Sequence, residues 1–512
     1  MGHIDHGKST LLDYIRKTNT TLKEAGGITQ RIAAYEATHK TPDGREKHIT
    51  FIDTPGHEAF KTMRSAGAEV ADIAVLVVSG EEGVKPQTID AYNAIKAAKT
   101  PMIVAVNKMD RPGADLVKTK NSLLEHEIYV EGYGGEVPCV PISAKTGEGV
   151  SDLLDMMVLL ADVLELTGNA DAQGKGIVIE SHLDKTKGIT ATVIVKDGTF
   201  HAGEFVVTED ALSPLRIMQD FKGASIKSAT LGSPLAIIGW DTLPRPGAEV
   251  HAFEDKKDAV AWQEEARDLT KEIAATEKLK AKMENATAGV AAGANGGLPS
   301  IVIPLIVKAA SAGIVDAIVH ELKKIETEKV HFKIISQGVG TITENDVKIA
   351  IGSERDAHTL KGNIANKPIV IGFDVKIDKQ AEALRDRDNI EVQTFDVIYK
   401  ISEWLVEIVK ARTPKVMTEE ETGRARILKI FTKSKKGYVI GGKLDQGLFM
   451  VGSEIKLLRR EGEIGKGSIR ELQQQKEKTR EVAEGFEFGA AVELSIEPAA
   501  GDTLVAFTMV EK

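Results

Sequence analysis

The run Gly2-His3-Ile4-Asp5-His6-Gly7-Lys8-Ser9, followed by Thr10, fits the pattern G-x-x-x-x-G-K-[ST]. Glycines at those two places let backbone N–H groups turn inward onto phosphate oxygens. Lys8 would bridge the β- and γ-phosphates and Ser9 would offer its hydroxyl to Mg²⁺. The rival reading, a metal cluster of His3, Asp5 and His6, leaves the lysine and both glycines idle. Asp53-Thr54-Pro55-Gly56-His57 follows an apolar run that ends at Ile52. A carboxylate at a strand tip suits Mg²⁺ through water, and Gly56 can hold its N–H toward a γ-phosphate. Thr-Pro-Gly is also good surface-turn chemistry, but its place after a P-loop favours the site. In Asn107-Lys108-Met109-Asp110, the carboxylate of Asp110 can accept from both the N1–H and the amino group of guanine. Adenine presents neither donor, a mismatch of ~10⁴-fold or more in discrimination. Ser143-Ala144-Lys145 closes the last strand and would support the base. Thr29, in Ala25-Gly26-Gly27-Ile28-Thr29-Gln30, is the candidate second hydroxyl for Mg²⁺, on a segment ordered by the γ-phosphate and released after hydrolysis. The chemistry these residues fit is GTP and GDP binding with Mg²⁺, with the metal set Ser9, Thr29 and Asp53.

The elements that must position them are legible in the apolar pattern. Residues 1–166 alternate short β-branched runs (His48–Ile52, Ile73–Val78, Met102–Val106, Cys139–Ile142) with helical stretches (Gln87–Ala98, Leu116–Glu125, Val150–Leu164). Near-continuous apolar strands between helices predict an α/β domain with a mostly parallel sheet. A P-loop normally hangs from a preceding central strand, so Met1 is expected to be an internal methionine of a longer chain. Residues 174–253 read as a small β-barrel. Residues 254–299 read as a long charged helix and a Gly/Ala-rich joint, and 300–393 as a second α/β domain. A connecting helix over 394–411 and a strand-rich segment, 424–512, follow. That last segment repeats the barrel: Gly188, Gly198 and Gly203 recur as Gly437, Gly447 and Gly452 at the same intervals. Phe200 and Phe449 each lie two residues past the middle glycine. The fold class expected is multidomain α/β plus β: P-loop GTPase domain, β-barrel, long helix linker, second α/β domain, helix linker, second β-barrel.

Composition sets further bounds. The chain has 512 residues, 42% hydrophobic and 28% charged, with a formal net charge of −10. That charge argues against wholesale coating of nucleic acid, yet residues 424–480 hold 15 Lys/Arg against 6 Asp/Glu, a hint of nucleic-acid contact at one end. Cys139 is the only cysteine, which excludes intrachain disulfides and cysteine-based zinc sites. No apolar run reaches the ~18 residues of a membrane span, so no membrane partner is expected.

Gly2–Thr10, Gly26–Gln30, Asp53–His57 and Asn107–Asp110 together resemble the translational GTPases. The domain order, with Ile334–Val347, Gly423–Ala425 and Glu481–Glu487, resembles the bacterial initiation-factor-two family over essentially the whole chain. That resemblance implies a cytoplasmic, ribosome-stimulated GTPase that is monomeric off the ribosome. Its partners would be the small and large ribosomal subunits and formylmethionyl initiator tRNA. It implies that His57 orients the attacking water, that Ile4 and Ile28 form an apolar gate before it, and that Asp5 helps place a monovalent cation or His57. Lys8 joins His57 and Asp5 in the catalytic set. The last barrel would hold the acceptor end of the tRNA, with Arg424, Arg426, Lys435, Lys436, Gly442, Arg470, Glu487 and Gly489 as candidates. The chain departs from the family there: Gly442 and Phe488 stand where cysteines are usual, and Gln473-Gln474-Gln475 replaces a basic pair and an aromatic. Fewer cations mean fewer phosphate contacts. An elongation factor carrying aminoacyl-tRNA would lack the charged helix and the second α/β domain. A GTP-dependent scaffold without turnover is the remaining alternative.

Overall fold

Three parallel strands, β3 (Ala74–Ser79), β4 (Met102–Asn107) and β5 (Cys139–Pro141), form the sheet at the heart of the first domain. We describe them in a computed structural model that covers residues 1–18, 29–184, 186–270, 301–327, 330–358, 367–412, 417–434, 437–460, 462–475 and 477–511. β3 and β4 are almost wholly buried, as strands covered on both faces must be. Their cover comes from α1 (Lys8–Arg16), α2 (Lys61–Val70), α3 (Pro86–Ala98), α4 (Leu116–Glu125) and α5 (Val150–Val163). The starts of α3 and α4 follow from local chemistry: Pro86 opens α3, and the Asp115 carboxylate caps α4 by accepting from Lys118 N–H.

The run at His48–Ile52 is a strand, but it is not part of the parallel sheet. It lies in β2 (Glu46–Asp53), which pairs antiparallel with β1 (Ala33–Lys40) as a separate ribbon. Between β2 and β3 lies a cavity of about 790 Å³ lined by Leu11, Ile49, Phe51, Val75 and Leu153, among others. At its border Val77 N–H donates to the Met1 carbonyl at 2.9 Å, and Gly2 bridges Val77 in the parallel sense.

The first barrel comprises β6 (Lys175–Asp184), β7 (Gly188–Asp197), β8 (Phe200–His201), β9 (Phe205–Val207), β10 (Leu212–Pro214), β11 (Ile217–Gln219), β12 (Ser225–Ile226), β13 (Ser228–Ala229), β14 (Pro234–Ile238) and β15 (Glu249–Phe253). A helix, α6, runs over 256–270; the rest of the expected charged helix and the joint at 285–299 lie outside the described residues. The second α/β domain then runs β16 (Ile301–Ala309), α7 (Ala312–Ile325), β17 (Val330–Val339), α8 (Glu344–His358), β18 (Ile369–Phe373), α9 (Lys379–Asp388), β19 (Glu391–Phe395) and α10 (Ile398–Arg412). Its sheet is parallel with strand order β17-β16-β18-β19. α10 is not a bare connector: Ile398, Ile401, Leu405 and Ile408 are buried in the core beneath that sheet.

One hydrophobic core joins these three parts. Phe60 and Met63 from the first domain, Ile179 and Ile194 from the barrel, and Ile314, Ile318 and Leu322 from α7 all belong to it. Glu180 lies beside this junction. It is only partly covered as a residue, but its Oε1 is sealed off with no hydrogen-bond partner. Burial pushes its carboxyl up to about 7, against the pull of Arg31 and the Ser311 hydroxyl.

The C-terminal barrel forms its own compact unit. It begins at Met417, earlier than position 424: β20 (Met417–Ser434), β21 (Gly437–Met450), β22 (Glu454–Arg459), β23 (Gly462–Gln474), β24 (Glu477–Thr479), β25 (Glu481–Ala483), β26 (Glu487–Leu494) and β27 (Thr503–Glu511). The β20–β21 pairing closes six of these strands into a ring. The repeat seen in the glycines is structural. The path β6-β7-β14-β11 in the first barrel matches β20-β21-β26-β23 in the second, and Phe200 and Phe449 are both fully buried. Gly188, Gly198, Gly203, Gly437, Gly447 and Gly452 all hold positive φ. Among the described residues no helix is long and apolar enough to cross a membrane.

Candidate nucleotide site

The P-loop, the segment at Thr29, the turn after β2 and the loops after β4 and β5 converge on a cleft of about 380 Å³. Ile4, Asp5, Gly7, Lys8, Ser9, Thr10, Thr29, Gly56, His57, Asn107, Lys108, Asp110, Ala144 and Lys145 line it. The strands of this sheet end on one side, where open α/β sheets carry ligands. Asn107 staples the cleft together: its Nδ2 donates to the His6 carbonyl and its Oδ1 accepts from Ala144 N–H, both at 2.8 Å. Ser143 Oγ donates to Asp110 Oδ1 at 2.8 Å, which holds that carboxyl below its usual range and fixes its direction. Gly56 approaches the P-loop so closely that a Cβ there would lie 2.6 Å from Lys8 Nζ. His6 is fully buried as a support, accepting from Ser79 N–H at 3.3 Å, and burial lowers its ring to about 4. With His6 buried this way, His3, Asp5 and His6 do not form a metal cluster, and none occurs among the described residues.

Ser9 Oγ lies 2.7 Å from Thr29 Oγ1 and donates to Asp53 Oδ2 at 3.2 Å. Two hydroxyls and a buried carboxylate at one point form an oxygen set that fits a hard divalent cation. Burial pushes the Asp53 carboxyl upward, and the Lys8 ammonium opposes that. Lys8 donates to the His3 carbonyl at 2.6 Å, and burial lowers it to about 8. Phosphate and metal charges at this point would relieve both costs.

His57 caps the short 3-10 turn Glu58–Phe60: its Nδ1 accepts from Ala59 N–H at 3.1 Å. Burial lowers its ring pKa, so the neutral ring carries its proton on Nε2. Held this way, His57 can donate to a water oxygen and orient it. Ile4 lines the cleft, with its N–H donating to Gln87 Oε1 at 3.0 Å; Ile28 lies outside the described residues. The residues after Thr29 reach the second α/β domain. Gln30 Nε2 donates to the Asp396 carbonyl at 3.0 Å, Ile398 N–H donates to Gln30 Oε1 at 3.3 Å, and Arg31 pairs with Asp374. Glu58 pairs with Lys324 of α7 at 2.9 Å. Apart from the motif residue Thr29, nothing in the spacing of the sequence signals these contacts.

In the C-terminal barrel the expected tRNA-contacting residues gather in part. Gly442 pairs with Phe488, Lys443 with Glu487, Gly441 with Gly489 and Arg426 with Lys443 on adjacent strands. Lys435 and Lys436 lie outside the described residues. Arg424 pairs with Glu421, and Arg470 with Glu493 at 2.5 Å. The basic excess of 424–480 is therefore not a bare cationic face. Lys456 and Lys466 share Glu419, Lys433 pairs with Glu497 and Arg459 with Asp502, all carboxylates outside that window. The two departures at Gly442 and Phe488 complement each other. The Phe488 ring is buried against Phe449 and comes within 3.0 Å of where a Cβ at 442 would stand.

Comparison with known proteins matches residues 1–162 to the elongation factor Tu GTP binding domain, 173–253 to elongation factor G domain 2, and 273–405 to translation-initiation factor 2. Translation initiation factor IF-2 of Bacillus licheniformis is 38% identical over 511 residues, covering 100% of this chain and 68% of that protein. The chain belongs to the translation initiation factor IF-2 family. The IF-2 of Desulforamulus reducens is 37% identical over 509 residues, of which this chain spans 49% of the relative's length, and that of Aquifex aeolicus is 38% identical with 60% spanned. This IF-2 family member thus spans 49% to 71% of the length of the relatives it matches. A crystal structure of GDP-bound aIF5B from Aeropyrum pernix aligns over 99% of this chain and 90% of its own, at 24% identity and a TM-score of 0.47.

Proposed function

We propose that this protein binds and hydrolyses GTP as a translation initiation factor. One observation carries the reading: Ser9, Thr29 and Asp53 meet within hydrogen-bond distance beside Lys8, while Asp110, aimed by Ser143, waits in the same cleft. Ser9 and Thr29 would hold Mg²⁺ directly and Asp53 through water. When bound, the ion would supply charge neutralisation on the phosphate oxygens. Lys8 and the P-loop N–H groups would bind the phosphates, Asp110 would select guanine, and His57, which lines the cleft, would orient the attacking water from Nε2. Asp5, at the rim, would help place a monovalent cation or His57.

At the level of the whole factor, family membership supports GTP-dependent stabilisation of formylmethionyl initiator tRNA on the small ribosomal subunit. Promotion of joining with the large subunit, then hydrolysis and release in the cytoplasm, would follow. The closed C-terminal barrel would take the acceptor end of the tRNA, and the filled space at Gly442 and Phe488 would alter how its formylmethionyl group is read. Two measurements test the proposal. Titration should give GTP binding at least 100-fold tighter than ATP binding, and ribosomes should raise the hydrolysis rate. Equal affinity for the two nucleotides, or no response to ribosomes, overturns it. Filter binding of formylated against unformylated initiator tRNA tests the finer claim, and no preference between them rejects the formylmethionyl specificity.

A further inference from the structure

Arg64 lies on α2 with 1% of its surface exposed, among the largest fully buried side chains in the described molecule. A guanidinium sealed from water is costly unless its N–H groups are used. Three contacts account for it, and all go to one short stretch of backbone. Nη1 donates to the His57 carbonyl at 2.5 Å and to the Pro55 carbonyl at 3.4 Å, and Nη2 donates to the Glu58 carbonyl at 3.4 Å. The one carboxylate within ion-pair distance among the described residues, Asp90 on α3, stands 4.0 Å away, with Glu58 acting from farther off, and Nε has no partner. The planar fork thus spends its donors on the turn that carries Gly56 and His57. The same turn is also held by Ala59 N–H, which donates to the His57 ring. A lysine presents its three donors from a single point and does not reproduce the planar two-nitrogen fork that reaches these carbonyls.

We infer that Arg64 is a positioning residue for GTP hydrolysis, one that sets the backbone from which His57 reaches the attacking water and Gly56 reaches the terminal phosphate. This rests on the GTPase reading above. Arg64 lines no part of the nucleotide cleft, so it acts through the turn and not on the nucleotide. Its loss should separate turnover from binding. A residue that merely filled the core would lower thermal stability and nucleotide affinity together and would be replaced well by another long side chain.

The test uses the full chain with 70S ribosomes and two variants, Arg64→Met and Arg64→Lys. GTP affinity, by fluorescence titration with a labelled GTP analogue, is expected to stay within about three-fold of the unaltered protein. Ribosome-stimulated kcat is expected to fall at least 30-fold for Arg64→Met and at least 10-fold for Arg64→Lys, with the KM for ribosomes little changed. Because Arg64→Met can unfold, Arg64→Lys decides: it keeps the charge and most of the bulk. A kcat for Arg64→Lys within two-fold of the unaltered protein overturns the inference, as does a loss of GTP affinity that matches the loss of kcat. Failure of the unaltered protein to respond to ribosomes removes the GTPase reading itself and this inference with it. A normal response in the unaltered protein, a dead His57→Ala and an unimpaired Arg64→Lys remove this inference alone.

Discussion

Replacing Glu180 with glutamine should stabilise this protein, and only above a definable pH. The carboxyl is raised from 4.5 to about 7 because its Oε1 is sealed where three parts of the molecule meet. Below pH 4.5 both the folded and unfolded chains hold the proton and the site contributes no penalty. Between pH 4.5 and about 7 the unfolded chain has released its proton while the folded chain keeps it, so stability falls as pH rises. Above about 7 the folded carboxylate ionises and the penalty is complete and constant. At 1.36 kcal/mol per pH unit, the ceiling is about 3 kcal/mol, and partial exposure of the residue lowers it toward about 1 kcal/mol. Glutamine keeps the shape and never ionises. Melting curves of the two proteins from pH 5 to pH 8.5 should therefore diverge by a few degrees, with the gap opening between pH 5 and 7 and then staying level. A gap that is constant with pH, or a variant less stable at pH 8, would refute the assignment of a strained neutral carboxyl to this place.

Other expectations are direct. Asp110→Ala removes the carboxylate that would face the base and should cut the preference for GTP over ATP by at least 100-fold, read by competition titration. His57→Ala should bind GTP normally yet lose ribosome-stimulated hydrolysis, seen as phosphate release in single-turnover assays; unchanged turnover would remove its role. Phe488→Ala should destabilise the C-terminal barrel by about 3–5 kcal/mol, because a fully packed ring is lost against Phe449 and Gly442; denaturant melts of the full chain should show one early transition.

The nucleotide site was largely legible before the structure because its chemistry is local. Asn107 and Ser143 stand at the ends of short apolar runs that are nearly unbroken because their parallel strands are covered, and Asp53 ends the similar run of the antiparallel ribbon. The barrel repeat was legible for a similar reason: turns at positive φ demand glycine, so equal glycine spacing marks equal hairpins. What stayed hidden depends on distance in sequence. β1 has little apolar signal because only Ala34 on it is buried, and β2 reads as one more sheet strand although it pairs only with β1. The basic excess of 424–480 looked like a cationic face because Glu419, Glu493, Glu497 and Asp502 sit outside the window and meet it only across strands. Arg64 carries no spacing signal at all; only its burial reveals it.

Gln30 is one peptide bond from Thr29 and clasps the start of α10 with both ends of its amide. A clasp of that kind makes two events share a single balance. Releasing Thr29 must break or drag two hydrogen bonds, each worth on the order of 1 kcal/mol. By reciprocity, anything that pulls α10 away loosens the grip on nucleotide by the same factor as nucleotide loss loosens α10. The start of α10 and the residue next to Thr29 are thereby tied by one side-chain amide.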